Sequence, residues 1–99
     1  VDSGNSIKRE YSNTVFKVQL AASSNKIEPK SYNFNGLKNI SREQEGKLYK
    51  YFYGDTSDYN EIKKMAEVAK SKGYPTSFIV AYQNGQRVAL SSVINSPSN

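Results

Sequence analysis

The segment from Asp58 to Pro75 carries the clearest helical pattern in the chain, and it limits the possible folds more than any other feature. Asp58 and Glu61 have the spacing of a capping box, with Asp in the capping position. Gly73 and Pro75 supply the signals that end a helix. Apolar residues recur at helical spacing between these signals: Tyr59, Ile62, Met65, Ala66 and Ala69. The pattern therefore predicts one amphipathic helix that covers one face of a sheet.

The stretch VFKVQLAASS, residues 15–24, predicts the first strand. Phe16, Val18 and Leu20 are apolar, and polar side chains stand between them. Such a period of two is typical of a strand with one buried face and one open face. Residues 24–36 follow with a proline, a glycine and several asparagines, which support a helix poorly. We expect a loop there, with at most a short helical turn.

The next segment predicts a hairpin, with a strand near residues 37–44, a turn at Glu45 and Gly46, and a second strand from Lys47 to Tyr53. In the second strand three tyrosines alternate with Lys50 and Phe52. We expect the tyrosines to face the core, because they can bury their rings and leave their hydroxyls at the edge. The opposite phase, which would place Phe52 in the core, remains an alternative.

The C-terminal part predicts a strand from Phe78 to Tyr82 and a short return strand from Gln86 to Leu90. Asn84 and Gly85 between them are typical of a type I′ turn. The order of elements predicts an α+β fold, with a mostly antiparallel sheet, one helix on one face and a small C-terminal hairpin. Three ranges follow from the pattern, namely a linker or tag remnant, a domain and a tail: 1–13, 14–90 and 91–99.

Composition excludes several classes of chemistry. The 99 residues suit one domain, and the chain has no cysteine and no histidine. Disulfides, thiol catalysis, Cys/His zinc sites and Ser-His-Asp hydrolysis are therefore excluded within it, and we expect no cofactor or metal. Glu43 and Glu45 are more typical of solvated charge than of a catalytic pair. We therefore expect no enzymatic activity from this chain by itself.

Charge and hydropathy say little about location. The net charge of +5 comes from scattered residues, with no basic run of a dedicated nucleic-acid arm. We expect no membrane insertion, because no apolar stretch is long enough to span a bilayer. A signal peptide is also absent from the sequence, which would suit a processed or excised piece of a larger protein. The sequence makes no prediction about oligomeric state.

Two segments, FKVQLAAS and LYKYFYGDTSDYNEIKKMAEVAKSKGYPTSFIVAY, resemble the SPOR domain, a peptidoglycan-binding module of bacterial envelope proteins. The end, FIVAYQNGQRV, is most similar to versions attached to N-acetylmuramoyl-L-alanine amidases of Bacteroidetes. The resemblance spans about residues 14–90. It implies a βαββαβ arrangement of the ferredoxin-like, RNA-recognition type. It also implies a sheet face that binds glycan strands, preferentially those without stem peptides, in the periplasm or cell envelope.

The chain departs from the SPOR pattern at three places. The first helix of the family would fall at residues 24–36, which barely support one, so we expect it to be reduced. Lys50 stands where the family has Arg. Asp55 and Thr56 stand where it has Pro-Phe. These differences leave the overall module intact and alter the expected glycan contacts.

A glycan strand offers hydroxyls, amides, lactyl carboxylates and apolar sugar faces. A binding face therefore needs amides, an aromatic ring and a positive charge. Gln19, Phe52 and Lys50 would supply one of each if they share the open face, and Lys17 and Ser23 would extend the site. Solvated surface is the competing interpretation of Gln19, and the two lysines could simply protect a sheet surface from aggregation.

An RNA-recognition-like module is the alternative, since such modules also use a basic sheet with exposed aromatic rings. The glycine-aromatic pattern typical of those modules is absent from the chain. The expected partner is therefore peptidoglycan and not nucleic acid, and the expected role is to target a cell-wall enzyme or division protein to its site.

Overall fold

The computed structural model describes residues 13–94, which form an α+β fold as the sequence predicts. Residues 1–12 and 95–99 lie outside the described range, and with them most of the expected linker and the end of the expected tail. The elements are a ten-residue first strand, four further strands, two helices and one 3₁₀ turn: β1 Thr14–Ser23, 3₁₀ turn Ser31–Asn33, β2 Ile40–Glu45, β3 Leu48–Thr56, α1 Tyr59–Ser71, β4 Phe78–Gln83, β5 Gln86–Val88 and α2 Leu90–Ile94.

The five strands form one sheet in the order β2-β3-β1-β4-β5, and every neighbouring pair is antiparallel. The first four strands have the order of a ferredoxin-like fold, with β1 and β3 at the centre, and β5 extends the β4 edge. The 3₁₀ turn Ser31–Asn33 occupies the place of a first helix. The prediction of a reduced first helix and a small C-terminal hairpin is therefore confirmed.

The pairing of β1 with β3 is irregular at two positions, and both increase the local twist of the sheet. The first irregularity lies opposite the β1 stretch from Phe16 to Val18, where β3 contains an extra residue beside Gly54. The second lies between Gln19 and Ala21, where β1 contains the extra residue. Two bulges in the central pair give the sheet a strong curl.

One hydrophobic core lies between the sheet and α1. It contains three alternating apolar residues of β1, Tyr51 of β3 and the inner face of α1, as the sequence predicts: Phe16, Val18, Leu20, Tyr51, Ile62, Ala66 and Ala69 are all buried in it. Tyr49 and Tyr53 pack against this core, and Phe52 lies outside it. The predicted phase of β3 is therefore confirmed.

Tyr51 shows how a polar ring is accommodated in that core. Its side chain has no exposed surface. Its hydroxyl accepts a hydrogen bond from the Ile27 backbone N–H at 2.7 Å and donates one to the Asn25 carbonyl at 2.8 Å. Because both partners belong to the loop after β1, Tyr51 fixes that loop against the sheet.

Both ends of α1 are capped by the residues that predicted it. The Asp58 carboxylate accepts hydrogen bonds from the backbone N–H groups of Asn60 and Glu61. Thr56 modifies the capping box, because its hydroxyl accepts from the Asp58 N–H and donates to the Glu61 carboxylate. At the other end Gly73 has φ +109°, and the Tyr74 N–H bonds back to the Ala69 carbonyl. This return bond is the six-to-one contact of a Schellman motif.

The C-terminal hairpin turns as predicted, with positive φ at both Asn84 and Gly85. The segment after it differs from the prediction, because β5 ends at Val88 and residues 90–94 form the short helix α2. Val93 of α2 is buried in the main core. Residues 91–94 therefore belong to the domain and not to a tail.

Between residues 13 and 94, no helix is long and apolar enough to cross a membrane.

Candidate binding face of the sheet

We call the side of the sheet opposite α1 the open face. The strand register defines it, because Gln19 pairs with Phe52 on one side and with Phe78 on the other, and Lys17 pairs with Val80. Alternation along each strand then gives its members: Val15, Lys17, Gln19, Ser41, Glu43, Glu45, Leu48, Lys50, Phe52, Phe78, Val80, Tyr82 and Arg87. Four of the five predicted site residues, Gln19, Lys17, Lys50 and Phe52, thus share one face.

Ser23 does not join them. It pairs with Tyr49, which lies on the α1 side, and its hydroxyl accepts a hydrogen bond from the Asn25 N–H at 3.0 Å. A strict period of two from Gln19 would place Ser23 on the open face. The extra residue between Gln19 and Ala21 reverses the phase of the end of β1, so the expected position of Ser23 is wrong.

One end of the open face, which we call the Tyr82 end, is filled by its own side chains. The ammonium of Lys17 lies 5.5 Å from the Phe52 ring centroid and 5.3 Å from that of Tyr82. The two rings meet edge to face, with centroids 6.2 Å apart. Glu43 completes the cluster, since its carboxylate oxygen lies 3.7 Å from the Lys17 nitrogen.

Phe52 is therefore on the expected face but is not exposed, at 0 % of its surface. An exposed ring for stacking on a sugar is not available at this residue. The cause is the curl of the sheet, which brings side chains of neighbouring strands over the Phe52 ring. This covering was not visible in the sequence, because alternation gives the face of a residue and not how far the sheet bends.

The curl of the sheet also has an electrostatic consequence. Glu43 belongs to β2 and Tyr82 to β4, with β3 and β1 between them. Burial raises the pKa of Tyr82, and the negative charge of Glu43 raises this pKa further against the opposing effect of Arg87. Lys17 contacts both Glu43 and the Tyr82 ring, so the two sides of the sheet approach each other across the open face.

The two lysines of the predicted site both have carboxylate partners. Lys17 faces Glu43, and Lys50 forms an ion pair with Glu45. The hydrogen bond and charge of Lys50 hold the pKa of Glu45 below its usual value. The lysines are therefore less available to attract an anionic ligand than their number suggests.

A groove of about 780 Å³ borders the Tyr82 end. Carboxylates, amides and hydroxyls line it: Asn13, Thr14, Lys17, Glu43, Asp55, Ser57, Tyr82 and Asn84 are among its residues. Its mixed polar lining can accept and donate hydrogen bonds to hydroxyl groups. In the part of the chain that the structure describes, no three acidic side chains converge as metal ligands would.

The other end of the open face, which we call the Phe78 end, has apolar side chains in contact with solvent. Phe78 is 48 % exposed and Leu48 is 45 % exposed. Both lie at the starts of their strands, β4 and β3, beside the second half of the antiparallel β1. Lys50 follows Leu48 on the same face. The exposed ring of this face is thus Phe78 and not Phe52.

Gln19 connects the two ends of the open face. It lies between Phe52 and Phe78 in the sheet. Its side-chain oxygen is buried and has no hydrogen-bond partner among the described residues. An acceptor without a partner lowers stability in the free protein, and no hydrogen bond holds this amide oxygen in place. A ligand that drew this side chain outward and donated to its oxygen would therefore satisfy an acceptor that is unpaired in the free protein.

Phe78 is the residue that the sequence analysis missed. The alternation of Phe78, Val80 and Tyr82 was visible in the sequence, but its phase relative to Gln19 was not. That phase follows only from the antiparallel register of β4 with β1, which places Gln19 directly opposite Phe78. A register is a property of the paired strands and not of either one alone.

Comparison with known proteins does not add to this description. No protein-family model matches the chain, and neither the curated proteins nor the solved structures contain a match.

Proposed function

We propose that this chain is a non-catalytic module that binds glycan strands of peptidoglycan through the open face, preferentially strands without stem peptides. The observation that carries the proposal is the pairing of an exposed ring, Phe78, with Gln19, whose buried side-chain oxygen has no hydrogen-bond partner among the described residues. The resemblance of the sequence to the SPOR domain is consistent with it. The binding role predicted for Gln19 and Lys50 is kept, and Phe78 takes the stacking role first expected of Phe52.

The chemistry of the Phe78 end suits a sugar polymer. An aromatic ring stacks on the apolar face of a pyranose, and a side-chain amide can accept and donate hydrogen bonds to hydroxyl and acetamido groups. Leu48 adds apolar surface, and the Lys50–Glu45 pair offers polar groups at the edge. Together these groups match the alternation of apolar and polar patches along a glycan.

A shallow sheet face also explains why bare strands would be preferred. Stem peptides project from the glycan and would hold it away from the side chains of the face. Their removal uncovers lactyl carboxylates, which a protein of net charge +5 attracts. Because Lys17 and Lys50 already face carboxylates, we expect only a weak dependence of binding on salt.

The nucleic-acid alternative is less well supported by the open face. Modules that bind single-stranded RNA stack several bases on exposed rings and attract the phosphates with free cations. Here the central ring, Phe52, is covered, and both lysines of β1 and β3 face carboxylates. This arrangement favours a ligand with few charges.

In the cell, such a module would hold a larger envelope protein, for example an amidase or a division protein, at sites where stem peptides have been removed. Localisation in the periplasm or cell envelope belongs to the same proposal. The chain itself would contribute binding and no bond cleavage.

Cosedimentation with purified sacculi tests the proposal. We expect more protein to bind after the sacculi are treated with an amidase, and Phe78→Ala to weaken binding about fivefold through the loss of one stacking contact. The matched control is Tyr32→Ala, which removes an exposed ring from the α1 side of the molecule and should leave this binding unchanged. Equal binding to treated and untreated sacculi, with efficient competition by single-stranded RNA, would contradict the proposal.

A further inference from the structure

We propose that a second surface, on the α1 side of the molecule, docks on an anionic membrane surface. We call it the lysine face, and it is formed by the loop after β1 and the end of α1: its basic residues are Lys26, Lys30, Lys38, Lys70 and Lys72. The contacts and charges that support this proposal lie outside the open face. The proposal therefore does not depend on glycan binding.

The lysine face differs from the open face in how its charges are balanced. All five of its lysines are exposed, and none forms an ion pair within residues 13–94. Glu28 is the acidic residue within the loop. On the open face, by contrast, Lys17 and Lys50 each face a glutamate. The five lysines of the lysine face therefore lack the carboxylate partners that the two lysines of the open face have.

The loop and the helix end form one surface because specific contacts join them. The Asn35 side-chain amide donates a hydrogen bond to the Lys72 carbonyl at 2.8 Å. The ring of Phe34 packs on that of Tyr74, which directly follows the end of α1, with centroids 6.5 Å apart. The middle of the loop, which follows the 3₁₀ turn Ser31–Asn33, is thus held beside the end of α1.

Tyr32 projects from this surface. It lies in the 3₁₀ turn Ser31–Asn33 and is 77 % exposed. The two residues after Tyr32 hold the turn in place, because the Asn33 side-chain amide donates to the Glu28 carbonyl at 3.1 Å and Phe34 is buried in the core. An exposed ring on a rigid turn costs little conformational entropy when it binds.

These features fit a membrane surface better than a nucleic acid or an acidic peptide. Lysines spread over a turn and a helix end suit a broad anionic plane, and tyrosine is enriched at the level of lipid headgroups. Arg42, which could form the forked contacts typical of phosphate recognition, instead donates to the Ile27 carbonyl at 2.8 Å. A single projecting ring also gives no series of stacking sites for bases.

Vesicle cosedimentation with the full chain tests this inference. We expect binding to phosphatidylcholine vesicles that contain about 30 % phosphatidylglycerol, no binding to pure phosphatidylcholine, and steep weakening with salt. Lys30→Gln should weaken binding about fivefold, as expected for one lysine near an anionic surface. Lys26→Gln, on the same loop, should give a similar loss and provides a second variant.

Two control variants distinguish vesicle binding by a defined surface from attraction by net charge alone. Lys47→Gln removes the same charge from the turn between β2 and β3 and should weaken vesicle binding less than twofold, which is about the uncertainty of such an assay. Tyr32→Ser should weaken vesicle binding about threefold, whereas Leu48→Ser on the open face should not. Equal losses from Lys47→Gln and Lys30→Gln would overturn the proposal. The proposal would also be overturned if the chain bound polyglutamate or RNA as strongly as vesicles and if that binding did not depend on Tyr32.

Discussion

The two faces of the sheet bury aromatic rings in different ways. On the α1 side Tyr51 is covered by a helix and a loop, and its hydroxyl has two backbone partners. On the open face Phe52 is covered by Lys17 and Tyr82, which are other members of the same sheet. A curled sheet can therefore form a small second core without a covering element, and only the part beyond that core remains available to a ligand.

Phe52→Ala should have the largest effect on stability, and it tests whether the open face contains a second core. If Phe52 is a structural ring, its removal should lower the free energy of unfolding by about 3–4 kcal/mol, close to the effect of Phe16→Ala in the main core. Phe78→Ala, at a half-exposed ring, should cost less than about 1 kcal/mol. Chemical denaturation measures all three. A Phe52→Ala variant as stable as Phe78→Ala would mean that the open face has no second core.

Gly54→Ala tests the bulge that helps to curl the sheet. Gly54 has φ +88°, and an added Cβ would lie 2.7 Å from the end of the Met65 side chain. Strain in the backbone and crowding against α1 should together lower stability by about 2 kcal/mol. Gly46→Ala is the control, because Gly46 also has positive φ but its added Cβ would meet nothing within 4 Å. Thermal unfolding of the two variants therefore separates crowding from backbone strain. Equal losses in the two variants would show that the close approach to Met65 does not matter.

Tyr51→Phe tests the polar contacts of the α1 side. The change removes one hydroxyl and leaves the partly buried Ile27 N–H without its partner. We expect a loss of about 1–2 kcal/mol in the free energy of unfolding, and faster hydrogen exchange in the loop after β1. Tyr49→Phe, at a partly buried ring of the same face, is the control and should change neither. Unchanged exchange in Tyr51→Phe would show that the hydroxyl does not hold the loop.

Glu43→Gln has the smallest expected effect and tests the curl directly. Burial and the charge of Glu43 raise the pKa of Tyr82, so neutral Tyr82 is favoured in the folded state and stability should fall as pH rises above 10. Removing the charge should lower the pKa of Tyr82, which NMR can measure, with Tyr82→Phe used to assign the signal. Glu61→Gln, near the start of α1, should leave this pKa unchanged. A Tyr82 pKa that does not respond to Glu43 would place β2 and β4 farther apart.

Much of the fold could be predicted because its signals are local. The capping residues of α1, the Asn84-Gly85 turn and the alternation of β1 each act within a few residues, and each is found where expected. The short helix α2 was missed because the spacing of Leu90, Val93 and Ile94 covers little more than one turn. Its stability comes from the core that Val93 enters, which is a tertiary effect.

The site was harder to predict because its decisive features belong to pairs of strands. Gln19 and Lys50 were placed on the correct face by alternation alone. The bulge after Gln19 moved Ser23 to the other side, and the curl covered Phe52. Phe78 became visible only when the β1–β4 register was known. Register, bulges and curl depend on contacts distant in sequence, so a single sequence does not reveal them.

The proposed glycan site at the Phe78 end of the open face can be tested residue by residue. NMR titration of the labelled protein with peptide-free glycan fragments tests it most directly, because each backbone amide reports its own surroundings. We predict that the largest shifts occur at Gln19, Lys50 and Phe78, with little change along α1. Shifts confined to α1 and the loop after β1, or no shifts at millimolar glycan, would contradict the claim.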